Sequence, residues 1–198
     1  MEIAREVFGE HYEVASRYVD ILASRGVDWG LIGPRESDRL WPRHVLNSVA
    51  IATLVPEGST VVDVGSGPGL PGVPLAILRP DLSVTLLEPL LRRAEFLTGV
   101  VDELDLGGSV TVVRGRAEEQ RQRFDVVTAR AVAALPKLLG WCLPLVARDG
   151  QLLALKGESA ERELVESKRL LRQRGRTGEV LTVSAAAGVD PTWVIRVR

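Results

Sequence analysis

One segment restricts the fold more than any other. Val61-Val62-Asp63-Val64 runs directly into Gly65-Ser66-Gly67-Pro68-Gly69-Leu70-Pro71-Gly72 and on into Val73-Pro74-Leu75. A short apolar run, a glycine-rich turn and a helical pattern, in that order, open a β–turn–α unit of an open parallel sheet. Glycines without a Cβ let the backbone of such a turn come close to a ligand at the carboxyl edge of the sheet.

Two spacings overlap in the turn. Gly65-x-Gly67-x-Gly69 follows the strand at once, and Gly67-x-Gly69-x-x-Gly72 formally fits a dinucleotide fingerprint. A pyrophosphate needs free amides at the helix N-terminus. Pro68, Pro71 and Pro74 each remove one N–H from that region. A loop poor in donors suits a nucleoside ligand without phosphates, such as S-adenosylmethionine. About twenty residues on, the next apolar run ends at Glu88, where a carboxylate can accept bonds from both ribose hydroxyls.

The remaining chain repeats the alternation. Apolar, β-rich runs are expected at Thr60–Val64, Ser83–Leu87, Val110–Val113, Phe124–Thr128, Gln151–Leu155, Glu179–Val183 and Trp193–Val197. Helical stretches are expected at Val73–Leu78, Leu90–Leu104, Ala133–Val146 and Ala160–Arg174. This pattern predicts a doubly wound α/β fold with a mostly parallel sheet covered on both faces. Only Ser184–Pro191 separates the last two runs, too little for a helical crossover, so an antiparallel hairpin is expected at the sheet edge. Residues 1–57 read instead as a helical extension packed on a core at 58–198. Its first helix is expected to stop at Gly26, and a second to run from Pro42 to Leu54.

Composition excludes several classes. With 45% hydrophobic and 26% charged residues and a net charge of −1, the chain is neither disordered nor coated with positive charge. No run approaches the ~18 apolar residues of a membrane helix, and the N-terminus lacks the apolar stretch of a secretory signal. Cys142 is the single cysteine, so an internal disulfide is impossible, and a reducing, cytoplasmic location is expected. No cluster has metal-ligand spacing, and no membrane partner is expected.

Asp63-Val64-Gly65-x-Gly67-x-Gly69 with Glu88 resembles the class I methyltransferases, which are Rossmann-like. Further segments narrow this: Arg43-His44-Val45-Leu46-Asn47-Ser48, the whole run Asp63–Pro74, Arg116-Ala117-Glu118-Glu119, Arg130-Ala131 and Ala154-Leu155-Lys156-Gly157. Together, over about Pro42 to Gly157, the chain is similar to the glucose-inhibited division protein B family. These are bacterial methyltransferases acting on guanine N7 of 16S ribosomal RNA. The resemblance implies a seven-stranded sheet, S-adenosylmethionine as cofactor, and 16S RNA or the small ribosomal subunit as partner. It places Gly65, Gly67, Gly69, Leu70 and Glu88 at the cofactor, and Ala117 and Glu118 at its adenine. Arg130 would face the cofactor and the methyl-transfer site as the catalytic candidate. Glu88 stands where an Asp is common in the family.

The implied chemistry is undemanding. Guanine N7 carries a free lone pair and loses no proton on methylation, so no general base is needed. Alignment alone can lower such a barrier by roughly 7–11 kcal/mol. Arginine or lysine could hold guanine O6, which nominates Arg116 and Lys156 as RNA-contacting residues, with His44 at the entrance. Each has a plainer alternative: Arg116 sits among Arg114, Arg121 and Arg123 on what is equally a charged surface, Lys156 is a strand-end lysine, and His44 fits a structural role. Cys142, in Trp141-Cys142-Leu143-Pro144-Leu145, reads as core. Three other functions remain open on these residues: an S-adenosylmethionine enzyme with a small-molecule or protein acceptor, a nicotinamide-dependent reductase, and a non-enzymatic RNA-binding module.

Overall fold

Near-continuous apolar runs of Val, Leu and Ile form strands, the central ones buried on both faces. In a computed structural model, which describes residues 2–198, they build one seven-stranded sheet. The strands are β1 (Thr60–Val64), β2 (Ser83–Glu88), β3 (Val110–Arg114), β4 (Phe124–Arg130), β5 (Val146–Lys156), β6 (Gly178–Val183) and β7 (Thr192–Val197), in the order β3-β2-β1-β4-β5-β7-β6. The first five are mutually parallel. β7 runs antiparallel to β5, and β6 pairs antiparallel with β7, so the expected edge hairpin is present. Strand order reverses between β1 and β4, the position where ligands bind beyond the carboxyl ends of such sheets.

The helices are α1 (Glu2–Phe8), α2 (Tyr12–Ile21), α3 (the single turn Asn47–Val49), α4 (Gly72–Leu78), α5 (Leu91–Glu103), α6 (Leu135–Cys142) and α7 (Ala160–Gln173). Alternate residues of the strands face opposite sides. Val61, Leu86 and Val126 pack with α4, α5 and the N-terminal helices, through Phe8, Tyr18, Leu22, Val45, Ile51, Leu75, Phe96 and Leu97. Val62, Leu87, Val127 and Ile195 pack with α6 and α7 on the other face. The N-terminal segment therefore completes one side of the sheet and shares that side's core.

Three local expectations are corrected. Gly26 does not end the first helix: it lies inside a wide π turn, Leu22–Gly26, and its carbonyl accepts the N–H groups of Leu31 and Ile32. The stop is Gly30, whose φ of 68° is the left-handed conformation that closes a helix. The stretch from Pro42 to Leu54 is not one α-helix. It begins as a π segment, Leu40–Leu46, continues through α3, and ends in a 3₁₀ turn, Ala52–Leu54. The stretch from Ala133 to Val146 is helical only as far as Leu145, its last turn, Leu143–Leu145, being 3₁₀. β5 then begins at Val146, because Val146 pairs with Phe124 ahead of an irregularity in the β4–β5 ladder. A Cβ at Gly150 would lie 2.7 Å from the Asp125 carbonyl oxygen, so the close approach there requires glycine.

Candidate functional site

β1 delivers the chain into the glycine loop, and the loop is held by bonds to itself and to β2. Gly65 and Ser66 donate to the Leu87 carbonyl, Gly69 and Leu70 to that of Ser66, and Val73 to that of Gly69. Gly67 N–H donates to Glu88 Oε2 at 2.9 Å, and Gly72 N–H to Asp63 Oδ2 at 3.0 Å. Pro68 and Pro71 have no N–H to give. Every amide from Gly65 to Val73 is thus spent inside the protein. A pyrophosphate would find no free backbone amide in this loop, which removes the helix-N-terminal cradle that the nicotinamide reading needs; the exposed Arg93 side chain is a separate cation on the cavity's lining.

The glycines divide by task. Gly65 (φ 71°) and Gly67 (φ 56°) line a cavity of about 510 Å³. Gly69 does not line it. A Cβ on Gly69 would meet Val73 at 2.6 Å and the Tyr18 hydroxyl at 3.0 Å, so this glycine serves the packing of α2 and α4 beneath the loop. A Cβ on Gly72 would be tighter still, driven into a Leu86 methyl. Asp63, fully buried, anchors Gly72 with one oxygen, while its Oδ1 has no partner among the described residues. Burial pushes this carboxyl up to about 7, against the Gly72 bond and the charge of Arg130, which pull it down. Tyr18, also buried, donates to the Pro68 carbonyl at 2.9 Å and ties the N-terminal helix to the loop.

The loop cavity also holds Leu31, Ile32, His44, Ser66, Pro68, Leu70, Glu88 and Arg130. Glu88 is 1% exposed, and its two oxygens accept the Gly67 and Leu90 amides. An apolar recess of about 150 Å³ adjoins at Gly65 and Val132 and is lined by Leu87, Arg116, Ala117, Glu118 and Trp141. The structure therefore brings Gly65, Gly67, Leu70, Glu88, Ala117 and Glu118 together along two adjoining hollows that share Gly65, Pro89 and Val132. Leu31, Ile32 and Trp141 belong to them as well. Sequence reading passed over them, because a loop leucine and a helical tryptophan carry no motif.

On the far side of Arg130 lies an outer cavity of about 680 Å³, lined by Asn47, Lys156, Asp190, Trp193 and others. The two cavities share His44, Arg130, Ala131 and Val132 as their common wall. Ala131 has φ 55°, an uncommon conformation for a residue with a side chain, as the chain turns off β4 through this wall.

The cations expected to meet a ligand are bound to protein instead. Arg130 Nη1 donates to the His44 carbonyl and to Ser48 Oγ, both at 3.1 Å. Its Nη2 donates to the Arg43 carbonyl at 3.0 Å and to His44 Nδ1 at 2.9 Å. An arginine can only donate, so His44 Nδ1 accepts and its proton sits on Nε2, which donates to Glu36 Oε2 at 3.0 Å. Burial and the neighbouring Arg130 charge hold His44 below the ordinary histidine range despite Glu36, and the ring is neutral. Lys156 Nζ donates to the Ala133 carbonyl at 2.7 Å and to Glu163 at 2.8 Å. Glu163 also accepts the Leu135 amide and so caps α6. Burial would raise Glu163, but its bonds from Lys156, Ser159 and Leu135 prevail and hold it below the usual carboxylate range. Arg116, by contrast, is exposed beside the recess. Cys142 is buried, and its thiol is pushed up to about 12, chiefly by burial, so no thiolate chemistry is available.

Among the described residues no group of three or more His, Cys, Asp or Glu could hold a metal ion, and no helix is long and apolar enough to cross a membrane.

Residues 11–188 match the family described as rRNA small subunit methyltransferase G. The chain is 58% identical over 200 residues to the ribosomal RNA small subunit methyltransferase G of Thermobifida fusca, covering 99% of this chain and 84% of that protein. It is 51% identical over 204 residues to the protein of the same name from Mycolicibacterium paratuberculosis, covering 100% and 81%. Among solved structures, the precorrin-6y C5,15-methyltransferase of Geobacter metallireducens aligns with a TM-score of 0.56 at 15% identity, over 85% of this chain and 90% of that one. Pyrococcus horikoshii TYW2, solved in complex with MeSAdo, aligns with a TM-score of 0.62 at 17% identity, over 79% and 62%. At these identities the two structures show the fold alone.

Proposed function

The chain belongs to the rRNA small subunit methyltransferase G family, and from that premise we propose that it transfers a methyl group from S-adenosylmethionine to N7 of a guanine in 16S ribosomal RNA. One observation carries the reading: a hollow built around Glu88 and a glycine loop with no free amide shares a wall with an outer cavity at the switch point of the sheet. The hollow suits one small ligand without phosphates, and the outer cavity suits an acceptor group inserted against it.

The residues present fit the cofactor. Glu88 has lone pairs left for ribose hydroxyls after serving Gly67 and Leu90. The apolar recess at Ala117, Glu118 and Trp141 suits an adenine. Gly65 and Gly67 line the hollow and receive none of the loop's hydrogen bonds, so their carbonyls are available to an ammonium. When bound, S-adenosylmethionine supplies a methyl on a positively charged sulfur, which leaves as a neutral thioether. The N7 lone pair forms the new bond, the carbon–sulfur bond breaks, the positive charge passes to the guanine ring, and no proton is released. No side chain needs to act as a base, and neutral His44, occupied at both nitrogens, is not asked to. The chain's contribution is to hold the wall at His44, Arg130, Ala131 and Val132 so that donor and acceptor meet in line.

An RNA substrate places the protein in the cytoplasm, with exposed Arg43, Arg114, Arg116, Arg121 and Arg123 as phosphate contacts around the site. The test is incubation with labelled S-adenosylmethionine and unmethylated small subunits or their RNA, followed by nuclease digestion and mass analysis. Label in 7-methylguanosine is expected. Label absent from guanine overturns the assignment.

A further inference from the structure

The outer cavity contains more polar groups than it has free polar groups. Arg130 spends both terminal nitrogens on residues 43–48. His44 spends both ring nitrogens, Lys156 is held by Ala133 and Glu163, and Glu36 by His44 and Arg43. Four side chains on the lining have no such bond among the described residues: the Asn47 amide, the Asp190 carboxylate, the Thr192 hydroxyl and the Trp193 indole N–H; only the first two carry the paired polar atoms that match a base edge. They come from distant parts of the chain, Asn47 from α3 and Asp190 from the β6–β7 connection, yet they face one space. Trp193, half-buried, lines the same space from β7.

We propose that Asp190 and Asn47 read the acceptor guanine in this cavity, with Trp193 as the surface on which its ring lies. The proposal rests on the reading of the protein as a guanine methyltransferase and adds the residues that recognise the base. Along one side of guanine the groups run N7, O6, N1–H and N2–H₂: two acceptors, then two donors. N7 must point at the wall shared with the cofactor hollow. Asn47 follows the wall residue His44 by about one helical turn, so its amide N–H₂ is placed for O6, the group next to N7. A carboxylate is acceptor-only and takes two parallel N–H bonds. Asp190 therefore complements N1–H and N2–H₂ together. Adenine offers an acceptor at N1 and no 2-amino group, which leaves the carboxylate unmatched. A tryptophan face accepts any base and supplies affinity without choice. Selection of guanine then falls to Asp190, and the cationic side chains of the cavity serve as its frame.

The test compares wild type, Asp190→Asn, Asn47→Ala and Trp193→Leu. Each is offered small-subunit RNA with guanine at the methylated position and the same RNA, assembled by ligation, with inosine there. Inosine keeps N7, O6 and N1–H and lacks only the 2-amino group. Wild type is expected to prefer guanine in kcat/KM by roughly tenfold or more, the usual worth of a good bond to a base edge. Asp190→Asn should lose most of its activity on guanine and little on inosine, so that the preference collapses. Trp193→Leu should lower both substrates equally, and Asn47→Ala should do the same, because O6 is common to them. Affinity for S-adenosylmethionine, measured by calorimetry, should be unchanged in all three variants, which separates a recognition defect from misfolding. An undiminished guanine preference in Asp190→Asn overturns the proposal. Wild type that places no label in guanine overturns the parent function, and this proposal with it.

Discussion

Replacing Arg130 by alanine gives the most direct test of what the wall between the cavities is made of. The side chain donates four bonds at 2.9–3.1 Å to Arg43, His44 and Ser48, more than eighty residues away in sequence. A hydrogen bond from a charged donor contributes about 1.5–3 kcal/mol. The four share one guanidinium, so they do not add, and water can replace part of the loss at the rim. A destabilisation of about 3 kcal/mol follows, which lowers the Tm of a chain this size by about 6–12 °C. Trp41 reports on the affected segment, being stacked on Tyr12 at 5.6 Å. Thermal and urea unfolding, followed by tryptophan fluorescence, should show the shift. Arg130→Lys should recover only part of it, because a single ammonium cannot span the four acceptors of a planar fork. Methyl transfer should fall in parallel as the wall loosens. An alanine variant with an unchanged unfolding midpoint and no methyl transfer would refute the reasoning and return Arg130 to direct contact with a ligand.

Gly72→Ala should destabilise by about 1–3 kcal/mol, since its Cβ would be driven into Leu86 in a packed interior. Gly67→Ala meets open space but keeps φ 56°, so it should cost about 1–2 kcal/mol and weaken S-adenosylmethionine binding, as calorimetry would show. Lys156→Met strands Glu163 in a site where the two side chains are only 10% and 14% exposed, and should cost about 3–5 kcal/mol in urea unfolding. The His44 ring is held below its ordinary value. Below the unfolded value of about 6.5 the unfolded chain binds a proton that the folded chain refuses. Its stability contribution is thus complete above that pH and lost as pH falls. Asp63, raised to about 7, works with the opposite sign: its contribution is complete below the unfolded value of about 3.9 and is lost as pH rises from there to about 7. Comparing wild type with His44→Asn at pH 5.5 and 7.5 isolates the first effect: the variant should lose less stability on acidification, and equal losses would count against a neutral His44.

The centre of the sheet was legible because β1, β4 and the end of β5 are buried on both faces and therefore spelled as largely apolar runs. Val61–Val64, Leu86–Leu87 and Val126–Val127 announce themselves without help from the rest of the chain. The glycine loop was legible for a similar reason: its prolines state which donors are missing wherever the loop folds. The N-terminal segment was harder to read. The π turns at Leu22–Gly26 and Leu40–Leu46 arise where Tyr12, Tyr18, Val45 and Leu46 are fitted against an existing sheet, and no local periodicity encodes that. The candidate site was half legible. Gly65, Gly67, Leu70, Glu88, Ala117 and Glu118 do line two adjoining hollows. Arg130, Lys156 and His44 are at the expected place in a different condition, because whether a cation is free depends on partners such as Ser48 and Glu163 that only the fold supplies. Asp190 stood in no motif, and its standing as a bare carboxylate appears only when the groups around it are found engaged.

The spent amides of the glycine loop bear on competition inside a cell. Adenine nucleotides and dinucleotides share most of their surface with S-adenosylmethionine, and a pocket that accepts adenosine would by default fill with whichever is most abundant. Repelling them with negative charge would hinder an approaching RNA as well. A loop whose N–H groups all point inward solves this without charge: a phosphate pressed against it gives up its hydration and gains no bond in return. The share of discrimination that the loop supplies should be little affected by ionic strength, because a missing hydrogen bond is a short-range effect; the arginines around the site act on phosphates separately and through salt-dependent attraction.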